Sequence, residues 1–451
     1  MASGQNDLTE GVIWKKLLQF FFPILLGLLF QQLYNTVDAV VVAKYLGASA
    51  LAAVGGGAAT LTNTVIGFFT GLNSGFTVVI SQCYGAREQE RLSRTLHTAL
   101  LFCIAAGAAV MVFGRLLTPW ALRMMNTPED ILQESTDYMR IYFFGSIPLL
   151  LFNLCQGTMQ AVGDSKRPLR YLMCSCLTNI VLDVVFVAVC GWGVKGVAWA
   201  SALAMMLCVV LALLHMLRTE AVYRVELSRL RLDRSILKKT LRIGVPAGLQ
   251  GATYNVANVV ITTAVNGFGT AAVAAWTACS RLDGVFWATS NAFGAALCAY
   301  VGQCYGAGKI GRLRQGLRTN LLLSGVCTVA LSTLLLTLGQ PALRLLLDEA
   351  DVIDMAGLMM RNFVPYYIIW TVIENLSSTF RGAGDTFRPM VINILGICVV
   401  RILWIMFIVP VWHTIPAVCL VYAASWIVTG IAQVIYFFKG AWLKSDPGAG
   451  S

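Results

Sequence analysis

Two carboxylates stand where a membrane-crossing chain has reason to avoid them. Asp38 lies in the apolar run Leu17–Ala43, six residues before Lys44, and Asp183 lies in a second run, eight residues before Gly191. An aspartate in the middle of a spanning helix costs about 2.5–3.5 kcal/mol on insertion scales, so each is a functional candidate by default. Gln31, Asn35 and Asp38 fall at i, i+4, i+7, and Asn179 and Asp183 at i, i+4, each set on one helix face. Ser201 follows Lys195 by six residues. At 1.5 Å per residue, Asp38, Asp183 and Ser201 sit roughly 9–12 Å below one surface. Equal depth predicts a polar pocket holding Asp38, Asn179, Asp183 and Ser201. Burial disfavours an ionised carboxylate and a second carboxylate disfavours it further, so such a pair can take up and release H⁺. Two carboxylates, an amide oxygen and a hydroxyl are also hard ligands suited to Na⁺. Either ion fits these residues.

Other polar groups in apolar runs have different prospects. Gln250, Tyr254, Asn258 and Thr262 recur every four residues and, with Gln31 and Asn35, predict the lining of a substrate cleft. Glu374, seven residues before Arg381, is a candidate for binding a cationic substrate or a second ion, or for a structural pair with Arg401 or Arg281. Asp283 beside Arg281 reads as architectural. Two similar loops, "GDSKRP" and "GDTFRP", place Asp164, Arg167, Asp385 and Arg388 at turns with proline near the next helix start, where they predict braces or gate elements rather than catalytic groups. His97, His215 and His413 are too scattered for a metal site. Aromatics such as Trp276, Trp287 and Trp370 read as core or interface belt, with stacking on a planar cation open to a few of them.

The elements carrying these groups are helices in a membrane. The chain has 451 residues, 57% hydrophobic and 12% charged, with a mean hydropathy of +0.72. A soluble domain has about a quarter of its residues charged. About twelve runs long enough to cross roughly 30 Å of hydrocarbon predict an all-α polytopic protein. The first run is too long for a signal-peptide core and lacks a cleavage site, so it reads as a retained helix. Most of the thirteen cysteines lie inside apolar runs, with no metal spacing and no disulfide framework. The net charge of +11 is unevenly placed: with the N-terminus inside, roughly 24 Lys and Arg fall on cytoplasmic segments and about 7 outside. That asymmetry reads as membrane orientation rather than a nucleic-acid surface, and puts both termini in the cytoplasm.

The sequence also repeats itself. "SQCYGAREQERL" begins at Ser81 and "GQCYGAGKIGRL" at Gly302; Gln82 and Gln303 are 221 residues apart, as are Gly163 and Gly384 at the starts of the two GD loops. Two parallel six-helix repeats follow, an architecture of secondary transporters with a central site. The expected division is 1–217 for the first bundle, 218–240 for an amphipathic linker helix on the cytoplasmic surface, 241–439 for the second bundle and 440–451 for a tail. The repeats differ at the candidate pocket: Ile261 aligns with Asp38, Val400 with Asn179 and Trp404 with Asp183. No polar region is large enough for an ATPase domain. "YGAGKIG" lacks the Ser or Thr of a phosphate loop. A membrane enzyme finds no nucleophile–base motif, metal cluster or cofactor loop.

The chain resembles the multidrug and toxic compound extrusion (MATE) family of the bacterial envelope over nearly its whole length. The resemblance rests on "LYNTVDAVVVAKYLG", "NIVLDVVFV", "GVKGVAWAS" and the paired GD-x-x-RP loops in combination. It implies two bundles around a V-shaped cleft, and an antiporter that exports organic cations in exchange for H⁺ or Na⁺ without another cofactor. The family's first-half cation site has an Asp in span 1, an Asn and an Asp in span 5 and a hydroxyl in span 6. These match Asp38, Asn179, Asp183 and Ser201, with serine where threonine is usual. In some branches spans 7 and 10 of the second half are acidic. Here span 7 has no acid and Glu374 is about a turn from the expected place. A monomer in the plasma membrane, surrounded by lipid and taking small organic cations, is the expected state. The alternative is a flippase for lipid-linked saccharides, whose anionic cargo would favour a basic cavity.

Overall fold

The structure is a computed structural model and describes residues 7–55, 57–125, 127–344 and 349–443. It is helical throughout, with no strand among the described residues. The first six rods are α1 (Ile13–Gly55), α2 (Gly57–Gly85), α3 (Gln89–Met124), the pair α4 (Glu129–Phe144) and α5 (Ser146–Ala161), α6 (Lys166–Asp183) with a π-helical turn at Val184–Val189, and α7 (Gly193–Arg218). Six more follow: α8 (Arg234–Asn266), α9 (Thr270–Gly306), α10 (Ile310–Arg344), α11 (Ala350–Phe363) with α12 (Tyr367–Ala383), then α13 (Phe387–Asn393), α14 (Val400–Phe407) and α15 (Val409–Trp412) as one interrupted rod, and α16 (Ile415–Phe438). Gly47, at φ 85°, bends α1, a conformation that costs glycine little.

Among the described residues, eight helices are long and apolar enough to cross a bilayer, and nine if α4 and α5, bent by 46°, count as one span. The three rods that fall short are informative. α8 carries the polar stripe Gln250–Thr262, α9 carries Arg281 and Asp283, and the rod α11–α12 is broken by a 3₁₀ turn at Val364–Tyr366. All three contribute to the lining of the cleft, where a polar side chain escapes the cost of lipid.

Each half builds its own core. Phe76, Leu96, Leu154 and Val209 belong to the first, and Phe286, Met359, Tyr367 and Trp426 to the second. A third cluster joins the halves at the end where the described chain starts and stops: Leu8, Leu17 and Phe21 pack with Tyr300, Phe380 and Trp442. This end, here called the terminal end, is sealed. Ser81 and Gln303 have no exposed surface. Gln303 donates to the Ala161 carbonyl at 2.8 Å and Gln82 to the Gly382 carbonyl at 3.0 Å. Leu8 N donates to Gln303 Oε1 at 3.0 Å.

Along the side, Gly67, Gly71 and Gly75 of α2 face Gly251, Gly248 and Gly244 of α8 in an antiparallel ladder. A methyl group on Gly71 would lie 2.5 Å from Gly248 N, and one on Gly75 2.6 Å from Thr240 O, so the backbones touch as only glycine allows. Away from the terminal end the halves part, and Asn258 and Thr262 are exposed.

The connection between the halves departs from the expected surface helix. Residues 219–233 form no α-helix: a turn closes between Ala221 and Arg224, a 3₁₀ turn follows at Leu227–Arg229, and α8 begins inside the expected linker at Arg234. Leu227 and Leu232 are exposed, but two other apolar residues of the segment turn inward. Tyr223 and Val225 are buried in the first-half core, while Val225 N bonds Met216 O and Glu226 N bonds His97 Nε2. Asp233 then caps α8 by accepting from the backbone amides of Ser235 and Ile236. Of the tail at 440–451, residues 444–451 lie outside the described residues.

Candidate ion pocket and central cavity

α1, α6 and α7 bring the sequence-predicted polar residues together inside the first half. Asp183 is the last residue of α6 before the π-helical turn and has no exposed surface; Asn179, one turn earlier, is 2% exposed. Ser201 Oγ donates to Asp38 Oδ2 at 3.4 Å, and Asn179 Nδ2 to Ser201 Oγ at 3.5 Å. The Asp183 carboxyl lies within hydrogen-bonding reach of Asp38. Tyr34 and Tyr138 stand close to Asp38, and Val41, Val42, Val187 and Val197 pack against the site from the apolar side. The tyrosines were not singled out by sequence reasoning. Their i+4 relation to Asp38 (Tyr34) and to one another (Tyr138, Tyr142) was the available signal.

The pocket has more acceptors than donors. Asp38 Oδ1, Asn179 Oδ1 and both carboxylate oxygens of Asp183 are buried without a hydrogen-bond partner. A buried acceptor left unpaired loses about 1–3 kcal/mol, and more when charged. A proton on one carboxyl, or a bound cation, would give these oxygens the partner they lack. The donor set is chemically fit for a proton shared between carboxyls or for a hard cation.

Ser201 also lines the central cavity, a space of about 1020 Å³ between the halves. The pocket therefore meets the cavity at Ser201, and Tyr34 lines the same space. Gln31, Gln250, Tyr254, Asn258, Thr262 and Glu374 all line that space. Asn35 does not: it is exposed and outside the lining, because the 40° advance of a helix over four residues carries it past the wall.

The second-half charges find partners other than the expected ones. Glu374 pairs with Arg381 at 3.6 Å and accepts from Ser378 at 2.9 Å; it pairs with neither Arg401 nor Arg281. Asp283 is not paired to Arg281, which is exposed. It accepts from Trp287 Nε1 at 2.9 Å and from the Tyr367 hydroxyl. Arg401 donates to Asn258 Oδ1 at 3.0 Å and Ser425 Oγ at 3.4 Å. The GD loops stay outside the cavity lining. Arg167 bonds Asp164 at 2.6 Å and the linker's Tyr223 at 2.9 Å. Arg388 and Asp385 both bond Tyr436. Each ties its loop to a neighbouring segment.

The sequence profile of the MatE family matches residues 23–185 and again 246–406, once in each half. The chain belongs to the MatE family. The two matches begin 223 residues apart (246 − 23) and end 221 apart (406 − 185), the second being the offset of the duplication. Among relatives of this MatE protein, the probable multidrug resistance protein YoeA of Bacillus subtilis is 27% identical over 85% of this chain and 84% of its own. The FAD transporter of Shewanella oneidensis is 24% identical over 78% of each. A solved structure described as the outward-facing conformation of a multidrug resistance MATE family transporter superposes with a TM-score of 0.91, at 20% identity, over 99% of this chain and 100% of that one. The fold is that of these transporters. This MatE chain is a multi-pass membrane transporter, with its cavity closed at the terminal end.

Proposed function

We propose that this protein exports organic cations, drugs among them, in exchange for H⁺ or Na⁺ by alternating access. The coupling ion would occupy the pocket of Asp38, Asn179, Asp183 and Ser201. The observation that carries the reading is the set of four buried, donorless oxygens behind the cavity wall. Two unit charges 4 Å apart interact by about 4 kcal/mol at an effective dielectric of about 20. An empty carboxylate pair is thus under repulsion that one proton or cation relieves, and relief can be coupled to moving α1 against α6.

The positive charge at the terminal end supports a plasma-membrane protein with cytoplasmic termini. On that orientation the sealed end faces the cytoplasm and the cavity opens outward, the state in which cargo leaves and the ion enters. A monomer suffices, since one chain supplies the pocket, the cavity and the seal. Glu374 and the polar stripe of α8 would meet the cargo directly.

The test is export of a fluorescent cation from proteoliposomes under separately imposed pH and Na⁺ gradients. Asp183→Asn and Asp38→Asn are expected to abolish gradient-driven export while the protein still folds, as judged by gel filtration. Full export by both variants overturns the pocket assignment, and the gradient that drives wild type identifies the ion.

A further inference from the structure

The second-half wall of the cavity holds a cation with no acid to answer it. Arg401, on α14, lines the cavity yet is only 3% exposed. Among the described residues no carboxylate lies within ion-pairing distance of its guanidinium. Glu374 is engaged by Arg381, and Asp283 by Trp287 and Tyr367. Arg401 Nε and Nη1 bond Ser425 and Asn258, whereas Nη2 makes no hydrogen bond among the described residues. The guanidinium carbon lies 4.5 Å from the ring centroid of Tyr422, a cation–π contact that holds the group at the wall.

Around it stands a set of ring faces. Tyr254, Trp276, Trp287, Trp370, Tyr422 and Trp426 all line the cavity. Trp287 and Trp370 are 5.0 Å apart edge to face, and Tyr422 and Trp426 are 5.2 Å apart. Ring faces favour planar aromatic bodies, and a guanidinium with free donors favours a carboxylate or phosphate oxygen. A buried charge left unpaired is expensive, so something anionic should meet it during the cycle.

We propose that Arg401 and this aromatic wall form a recognition site for the acidic group of planar aromatic substrates. Cargo then includes zwitterions and anions as well as cations. The assignment deepens the export reading above and rests on it. The two walls divide the work: the first half holds carboxylates behind Ser201 for the coupling ion, and the second holds a fixed positive charge for the substrate's acid. Asn258, which both lines the cavity and accepts from Arg401, keeps the guanidinium aimed.

The test uses a matched pair of xanthene dyes, one with a free benzoate and one its methyl ester, in proteoliposomes containing wild type, Arg401→Gln or Arg401→Lys. Binding of both dyes to the detergent-solubilised proteins is measured by fluorescence polarisation. Wild type should export and bind the benzoate dye at least as well as the ester. Arg401→Gln should lower the benzoate-to-ester ratio of rate and affinity by about tenfold or more, the loss of one charge-assisted hydrogen bond, and Arg401→Lys should restore part of it. A role limited to packing lowers both dyes together, so an unchanged ratio overturns the site. If Arg401→Gln does not fold, a wild type that takes the ester but rejects the benzoate overturns it equally. Ester export with an unmoved ratio removes this site and leaves the export reading intact. An Arg401-dependent ratio in binding, without export of either dye, removes the export reading and leaves the site.

Discussion

Asp183 is a carboxylate with no exposed surface and no donor to either oxygen, and another carboxylate, Asp38, stands within reach of it. Among the described residues, Ser201 is the hydroxyl that hydrogen-bonds that pair, through Asp38 Oδ2. Removing it leaves Asp38 without that donor and takes one oxygen from any cation. Ser201→Ala is therefore expected to weaken the coupling ion by roughly fivefold, about 1 kcal/mol for one neutral hydrogen bond, while Ser201→Thr keeps wild-type affinity. The check is the ion concentration at half-maximal export; an equal midpoint for Ala and wild type overturns the role. These residues were legible because ionisable groups are conspicuous in apolar runs and helix spacing gives their depth. Partners were not legible. Glu374 had Arg281 and Arg401 as its expected mates, whereas the fold pairs it with Arg381, two turns away on its own helix. Tyr34 and Tyr138 look in sequence like interface-belt aromatics, and become neighbours of the carboxylates only once α1 and α4 pack together.

Among the elements, the duplication does more than mark ancestry. Gln82 of the first repeat bonds Gly382 of the second, and Gln303 of the second bonds Ala161 of the first. Donors and acceptors alike are 221 apart (303 − 82 and 382 − 161). The two "QCYGA" segments are thus reciprocal latches across the terminal end, one per half. Each bond is worth about 1 kcal/mol, so removing both should shift a two-state gate by roughly tenfold or more. In Gln82→Ala/Gln303→Ala, a membrane-impermeant thiol reagent applied from the terminal side should label Cys298, which lines the cavity, about tenfold faster than in wild type. Equal labelling rates would show that the glycine ladder alone keeps the end shut. That ladder is written in the sequence as G-x-x-x-G-x-x-x-G from Gly67 to Gly75, a spacing of small residues that lets two helices approach closely. The linker misled for another reason. Its interleaved basic and apolar residues suit a surface helix, but Tyr223 and Val225 gain more by entering the first-half core, and a chain without an α-helix reaches there.

At the scale of the molecule, the twelve rods, their equal halves and the uneven placement of basic charge were readable because the bilayer constrains length, hydropathy and charge together. The asymmetry between the halves was not, since it depends on which side chains turn into the cavity. It has an electrical consequence. An exported monovalent cation exchanged for one H⁺ or Na⁺ moves no net charge, so export of the ester dye should be indifferent to membrane potential. The benzoate dye is a zwitterion, and its exchange for one coupling ion moves one positive charge inward. A potential negative inside then assists by about 2.3 kcal/mol per 100 mV, a factor of roughly fifty in the attainable gradient. Proteoliposomes clamped with a potassium ionophore at different potassium ratios separate the two cases. The steady-state gradient of the benzoate dye should rise with inside-negative potential while that of the ester stays flat. A potential-dependent ester gradient would exclude one-for-one exchange. A flat response for both dyes would mean that the acidic group travels neutralised by a second proton rather than held by Arg401.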